Sequence, residues 1–375
     1  MKSEFNGVDV HVAASELDGM ACGGRVDKAY QCGEKEVLLR LFKSGVGVLD
    51  LVVTPRFFCI SKYRRSVPEK PSSFAMQLRK VLEGGFLRSV RQKEFDRIVE
   101  FAFDVRGVAY YVVAEFFSTG NVFLLDSGGR IMGLLEWQRW KDRTLGVGRI
   151  YEHPPAVANP LKMVEGEFDG IKSSGKGAAA AIASATSLGG FYAEEICLRA
   201  GVDRKKRCID LSDKELSGLW SSFSGLLDSI GECRRPAVVY EKGVPVDVVP
   251  IEVEKYSTLE KEAFDSFNEA ADEYFSLKEK SDAESLVEKK ADKRMEKLEA
   301  ILSQQKEVLE RLRDDAGADR RRGDVIYERY AELEGIVNFI REERVKGAKD
   351  EEILKKLGGR GVVKGLDRFE LTLDF

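Results

Sequence analysis

The sequence predicts an α+β protein: a mixed sheet domain, then a pair of short helices, then a long helical arm. Three observations predict it. Short alternating or apolar runs divided by turn residues fill the first 172 residues, two short apolar helical patterns flank Leu188-Gly189-Gly190, and from Ser257 the composition shifts to Glu, Lys, Ala and Leu on a seven-residue rhythm. A chain of 375 residues is long for one core, so two or three units are expected.

Taken in order, Val8, Val12, Ala13, Leu17 and Met20 have helical spacing, and Asn6-x-x-Asp9 suits a reciprocal cap at that helix's start. Residues 37–42, 48–53 and 57–60 have strand patterns. Residues 71–82 form a second helix, with Phe74, Leu78, Val81 and Leu82 on one side and Gly84-Gly85 stopping it. The stretch before Asp96 is polar and holds glycines, and it is read as a connection. Residues 97–105, 108–116 and 121–126 are strands, with Arg106-Gly107 and Ser127-Gly128-Gly129 as turns. A flexible Ser173-Ser174-Gly175-Lys176-Gly177 opens a second section, with helices over 178–185 and 191–200 making a helix-hairpin-helix candidate and a small hairpin over 237–240 and 246–249.

The arm is read over 257–345. Ala291, Met295, Leu298, Leu302, Gln305, Leu309, Leu312 and Ala316 alternate steps of four and three, the mark of a coiled-coil seam. The chain offers no second long helix to cover that seam. A homodimer through the unpaired arm is one way to supply it; a C-terminal part of the protein beyond this chain is another.

Charge distribution says more than net charge. The chain carries −4 overall, yet residues 54–93 hold ten basic side chains against Glu69 and Glu83. Such a block is an electrostatic footprint for phosphate, although a merely solvated basic face is the alternative from composition. Within it, Arg88, Arg91 and Lys93 are candidates for backbone phosphate contacts. Asp96-Arg97 comes next. A guanidinium fork suits a phosphate or a base edge, and Asp96 could orient it; a structural ion pair is the competing reading.

Six scattered cysteines with no C-x-x-C pair argue against a zinc site. No Walker loop occurs, the two histidines are far apart, and no cofactor is expected. No signal peptide and no membrane-length apolar run are seen, so a cytoplasmic protein without a membrane partner is expected.

Several strings carry a resemblance. They are Val8-Asp9, the run from Gly24 to Gln31, the run from Met76 to Gly85 leading to Phe95-Asp96-Arg97-Ile98-Val99, Gly120-Asn121-Val122 and Tyr151-Glu152-His153-Pro154-Pro155. The most distinctive runs from Leu188 through Phe191-Tyr192-Ala193-Glu194-Glu195 to Gly201. In this order they resemble the NFACT family, which includes RqcH, NEMF and proteins labelled fibronectin-binding.

The resemblance implies a MutM-like sheet domain over 1–172, a helix-hairpin-helix domain with a small hairpin over 173–256, the outgoing coiled-coil helix over 257–345, and the start of a middle domain over 346–375. It implies binding of tRNA and of the large ribosomal subunit holding peptidyl-tRNA, in ribosome-associated quality control. There the factor supports template-free C-terminal tailing while the ribosome supplies the chemistry, so no enzyme activity is expected. Asp9 and Asp96-Arg97 match family positions associated with tRNA. The family's NFACT-R domain and returning helix have no counterpart here. Lys2 and Ser3 stand where MutM-type glycosylases need a proline amine and a glutamate, which argues against glycosylase chemistry. An adhesive coiled-coil protein is the competing reading, and it leaves the basic block without a role.

Overall fold

The structure is a computed structural model. It describes all residues except 34, 140–142, 156–157, 232–233, 359–361, 369 and 375, and describes 283–288 by backbone alone. The chain forms two compact units, Met1–Ala283 and Glu284–Phe375.

The first unit opens with α1 (Gly7–Ala21), whose cap is the one the sequence predicts. Asn6 Oδ1 accepts the N–H groups of Val8 and Asp9, and Asp9 Oδ2 accepts the Asn6 N–H at 2.8 Å. Then come β1 (Arg25–Gln31), β2 (Val37–Lys43), β3 (Gly47–Val53), β4 (Phe58–Ser61), α2 (Ser73–Leu82), β5 (Phe86–Gln92), β6 (Ile98–Val105), β7 (Val108–Glu115), β8 (Asn121–Leu125) and β9 (Ile131–Leu134). Among the described residues these strands make one antiparallel sheet in the order β4-β3-β2-β1-β5-β6-β7-β8-β9. β1 and β5 join at a single register pair, Arg25 with Phe86. The pair β10 (Gln138–Arg139) and β11 (Thr144–Leu145) follows.

Beyond α3 (Glu165–Phe168), helices α4 (Ala178–Thr186) and α5 (Gly189–Arg199) meet at a left-handed Ser187 and Gly189. Glu195 in α5 is fully buried and accepts the N–H groups of Glu254 (2.7 Å) and Lys255 (3.1 Å), while Glu194 pairs with Arg204 and Lys255. These glutamates hold protein to protein. Helix α6 (Asp213–Gly231) and a small sheet of β12 (Ala237–Glu241), β13 (Val244–Val249) and β14 (Glu260–Ala263) complete the section. The regions 1–172 and 173–256, expected as separate domains, share one hydrophobic core running from Phe5 through Tyr192 and Phe223 to Phe275.

The arm departs from expectation at its start. Residues 260–263 are the strand β14, drawn into register with β12 (Val238 opposite Glu262), so the helix begins ten residues late as α7 (Phe267–Glu328). The carboxylate of Glu16 on α1 caps it, accepting the N–H groups of Phe267 and Asn268. Helix α7 ends before Arg329, at φ −107° and ψ 24°, and α8 (Tyr330–Val345) resumes. Seam residues Met295, Leu298, Leu302, Leu309 and Leu312 are more than half exposed. In the second unit, α8 packs with α9 (Asp350–Leu357), β15 (Val363–Asp367) and β16 (Glu370–Leu373) around Ile336, Ile340, Ile353 and Leu357.

The five described cysteines are free thiols; Cys233 lies outside the described residues. Among the described residues no helix is long and apolar enough to cross a membrane.

Candidate nucleic-acid interface

Arg91, Lys93, Asp96 and Arg97 belong to one hairpin, built by β5, a tight turn and β6. The segment expected as a connection is therefore a strand, with Phe86, Arg88 and Arg91 facing solvent and Leu87 and Val90 buried. Its turn is strained. Glu94 (φ 43°) and Phe95 (φ 62°) both occupy the left-handed region, and Asp96 N–H donates to the Lys93 carbonyl at 2.7 Å. That is the pattern of a type I′ turn, made here without glycine or asparagine.

Burial offsets the strain. Phe95 is 3% exposed, with its ring 5.4 Å from that of His11. A side chain at Gly7 would come within 3.2 Å of the Phe95 carbonyl, so the glycine permits this close approach of α1. Gln92 Nε2 donates to the carbonyls of Gly7 (2.8 Å) and Asp96 (2.9 Å), tying the turn to the start of α1.

Asp96 and Arg97 do not pair through their side chains. The Asp96 carboxylate accepts the Arg97 main-chain N–H at 2.7 Å, whereas Arg97 Nη1 donates to Glu4 Oε1 at 2.6 Å. Arg88 pairs with Asp104 at 3.1 Å. Arg91 and Lys93 are exposed and have no ion pair among the described residues.

Asp9 is placed elsewhere. Its side chain is fully buried, capping α1 and meeting Lys2 Nζ at 2.8 Å, so it presents no surface to a ligand in this conformation. Burial pushes its carboxyl up to about 6, against the opposing pull of Lys2. Lys2 Nζ also reaches Asp247 (3.3 Å) and the Val248 carbonyl (2.6 Å).

The basic block is partly engaged within the protein. Lys62 pairs with Glu273, Arg65 with Glu36 and Glu279, and Arg79 donates to the Ala29 carbonyl over the Tyr30 ring. Arg56, Arg64, Lys70 and Lys80 are exposed without an ion pair among the described residues, and Arg91 and Lys93 are the block's exposed, unpaired cations on the hairpin of Asp96-Arg97.

Four neighbours were not singled out from sequence: Glu4, His11, His153 and Lys162. A cleft of ≈ 350 Å³ beside the turn is lined by His11, Arg91, Gln92, Glu94, Phe95 and Lys162, among others. Burial lowers the His11 pKa. His153 packs edge-on against Tyr151 at 4.9 Å, and its pKa is lowered by burial, then by Lys93 and Arg143. Behind it, Arg143 forms a two-pronged pair with the buried Glu115 (2.7 and 2.8 Å), which also accepts from Tyr151 Oη at 2.8 Å. Only the run from Tyr151 to Pro155 hinted at this support.

Residues 6–357 match the family described as NFACT N-terminal and middle domains. The chain belongs to the NFACT family. It is 35% identical over 361 residues to the archaeal Rqc2 homolog aRqcH of Methanocaldococcus jannaschii, covering 92% of this chain and 53% of that protein. It is 28% identical over 356 residues to the human ribosome quality control complex subunit NEMF, covering 87% of this chain and 33% of that one. The chain thus spans about half of the archaeal relative and a third of the human one. The N-terminal structure of the fibronectin/fibrinogen-binding protein from Streptococcus suis superposes with a TM-score of 0.59 at 22% identity, over 73% of this chain and 99% of that one. That likeness is one of fold.

Proposed function

We propose that this chain is part of a ribosome-associated quality-control factor that binds tRNA on obstructed large ribosomal subunits and supports template-free tailing of the stalled chain. The observation that carries this reading is the pairing of two unneutralised cations, Arg91 and Lys93, with the Asp96-Arg97 signature on a turn held rigid by Phe95, in a chain of the NFACT family. Phosphate contacts from such cations give affinity and register. Arg97, half-exposed and paired with Glu4, supplies the planar donor. The protein positions; the ribosome performs the peptidyl transfer. In this reading Asp9 acts through Lys2 and the cap of α1 rather than by touching RNA. Helices α4 and α5 are the family's helix-hairpin-helix, α7 is the outgoing helix of its coiled-coil arm, and the protein works in the cytoplasm.

The test is tRNA binding and its salt dependence for wild type and for Asp96→Ala with Arg97→Ala, alongside co-sedimentation with large subunits. The reading expects a steep salt response and at least a tenfold loss in the double variant. A flat salt response, or unchanged affinity, would sink it. Failure to sediment with large subunits would turn attention to an adhesive role.

A further inference from the structure

At the far end of β5 from the turn, the sheet register sets exposed residues side by side: Val48 opposite Phe42, Phe42 opposite Arg25, Arg25 opposite Phe86, and Phe86 opposite Asp104. Directly opposed residues share a sheet face. Phe42 is 50% exposed and Phe86 41%, unusual for phenylalanine on a folded sheet. Arg25 stands between them, exposed and without an ion pair among the described residues. With strands about 4.8 Å apart, the two rings lie roughly 10 Å from each other across it.

Closely packed glycines flank the row. A side chain at Gly85 would come within 2.5 Å of Val105, and one at Gly24 within 2.9 Å of the Ala21 carbonyl. The strands themselves are joined by main-chain bonds, Val26 N–H to the Gly85 carbonyl at 2.8 Å and Leu87 N–H to the Gly24 carbonyl at 2.9 Å, which set Arg25 beside Phe86.

We propose that this row is a stacking platform for unpaired nucleotides of RNA, with Phe42 and Phe86 taking bases and Arg25 the intervening phosphate. Rings on an open sheet face offer every base a π-surface irrespective of sequence. The proposal rests on the RNA-binding reading above and extends it: Arg88 and Arg91 share the exposed side of β5 with Phe86 and lead back to Lys93 at the turn. Arg88 also lies over the Phe86 ring at 5.7 Å. Of the carboxylates on this side, Asp104 is engaged by Arg88 and Asp50 by Arg40, leaving Glu100 opposite Arg91 and the exposed Asp27. Val48, opposite Phe42, and Val46 in the adjoining turn are also exposed.

The experiment compares wild type, Phe42→Ala with Phe86→Ala, Arg25→Gln, and Arg91→Ala with Lys93→Ala, using a ten-nucleotide oligouridine and intact tRNA. All substituted side chains are exposed, and circular dichroism checks folding. The double phenylalanine variant is expected to lose oligouridine affinity by about tenfold or more with an unchanged salt slope. Arg25→Gln is expected to lower that slope instead. Oligouridine affinity within twofold of wild type in the phenylalanine variant overturns the platform. So does a variant that keeps its RNA affinity yet no longer sediments with large subunits, which would assign the row to a protein. If tRNA binding depends on Arg91 and Lys93 but not on the rings, the platform falls and the hairpin reading stands. If the rings bind oligouridine while tRNA is ignored, the platform stands and the hairpin reading falls.

Discussion

Arg97 Nη1 lies 2.6 Å from Glu4 Oε1, so the guanidinium on the hairpin already holds a carboxylate before any ligand arrives. Both side chains are more than a third exposed, where solvent screens the pair to about 1 kcal/mol or less. An incoming phosphate must compete with that carboxylate. Glu4→Gln is therefore expected to raise tRNA affinity by about two- to fivefold at low salt, with the gain fading as salt screens the pair. Fluorescence anisotropy at two ionic strengths checks this. Weaker binding would instead make Glu4 a residue that orients the fork.

Arg91, Lys93 and Arg88 should separate in salt titrations. Each unpaired cation that neutralises a phosphate contributes about 0.7–0.9 to the slope of log K against log salt. Arg91→Ala and Lys93→Ala should each reduce the slope by about that amount. Arg88→Ala should reduce it less, because Asp104 already shares its charge. Slopes unchanged from wild type in all three variants would show that these cations do not meet the RNA backbone.

The turn offers two opposite substitutions. Glu94 pays left-handed strain at φ 43°, so Glu94→Gly should raise stability by about 1 kcal/mol. Phe95→Ala removes a buried ring and should cost about 3 kcal/mol. If the turn positions Asp96-Arg97, Phe95→Ala should also weaken tRNA binding at temperatures where it remains folded. Full affinity in a folded Phe95→Ala protein would remove that positioning role.

Much of this arrangement was legible in the residues. The Asn6-Asp9 cap and the strands around Arg106-Gly107 carry strong local signals and form where those signals lie, whereas Gly189 and Gly190, read as part of a turn, open α5, with the turn at Ser187. β1 and β5 gave none, because Arg25, Asp27 and Lys28 on one, and Arg88 and Arg91 on the other, face solvent and break the apolar run. Their strand character comes from long-range pairing, which appears only in three dimensions. The ion pairs that reduce the basic block are likewise invisible in sequence: Lys62 and Arg65 meet Glu273 and Glu279 more than 200 positions away. Asp9 shows the same limit from the other side. Its cap was readable, while its burial against Lys2 was not.

That buried pair gives a pH prediction with a definite sign. Asp9 is raised to about 6 in the folded chain, above the roughly 4 of an unfolded aspartate. Between those values the folded state binds the extra proton, so this group stabilises below about pH 4 and that contribution is lost as pH rises through about 6. Other carboxylates pull the opposite way: Glu215, held down to about 2 by Lys206 and Ser212, loses its contribution as pH falls. A difference measurement isolates Asp9. Asp9→Asn keeps an acceptor for the cap and leaves Lys2 its contacts with Asp247 and the Val248 carbonyl. Its melting temperature relative to wild type should therefore climb by several degrees from pH 4 to pH 6.5, the two-unit shift being worth about 3 kcal/mol. Lys2→Met should act in the other direction. It strands the Asp9 carboxylate without its cation, costs about 3–5 kcal/mol near neutral pH, and moves the loss of stability to higher pH. Parallel melting curves for wild type and Asp9→Asn across that range would mean that Asp9 does not take up the proton.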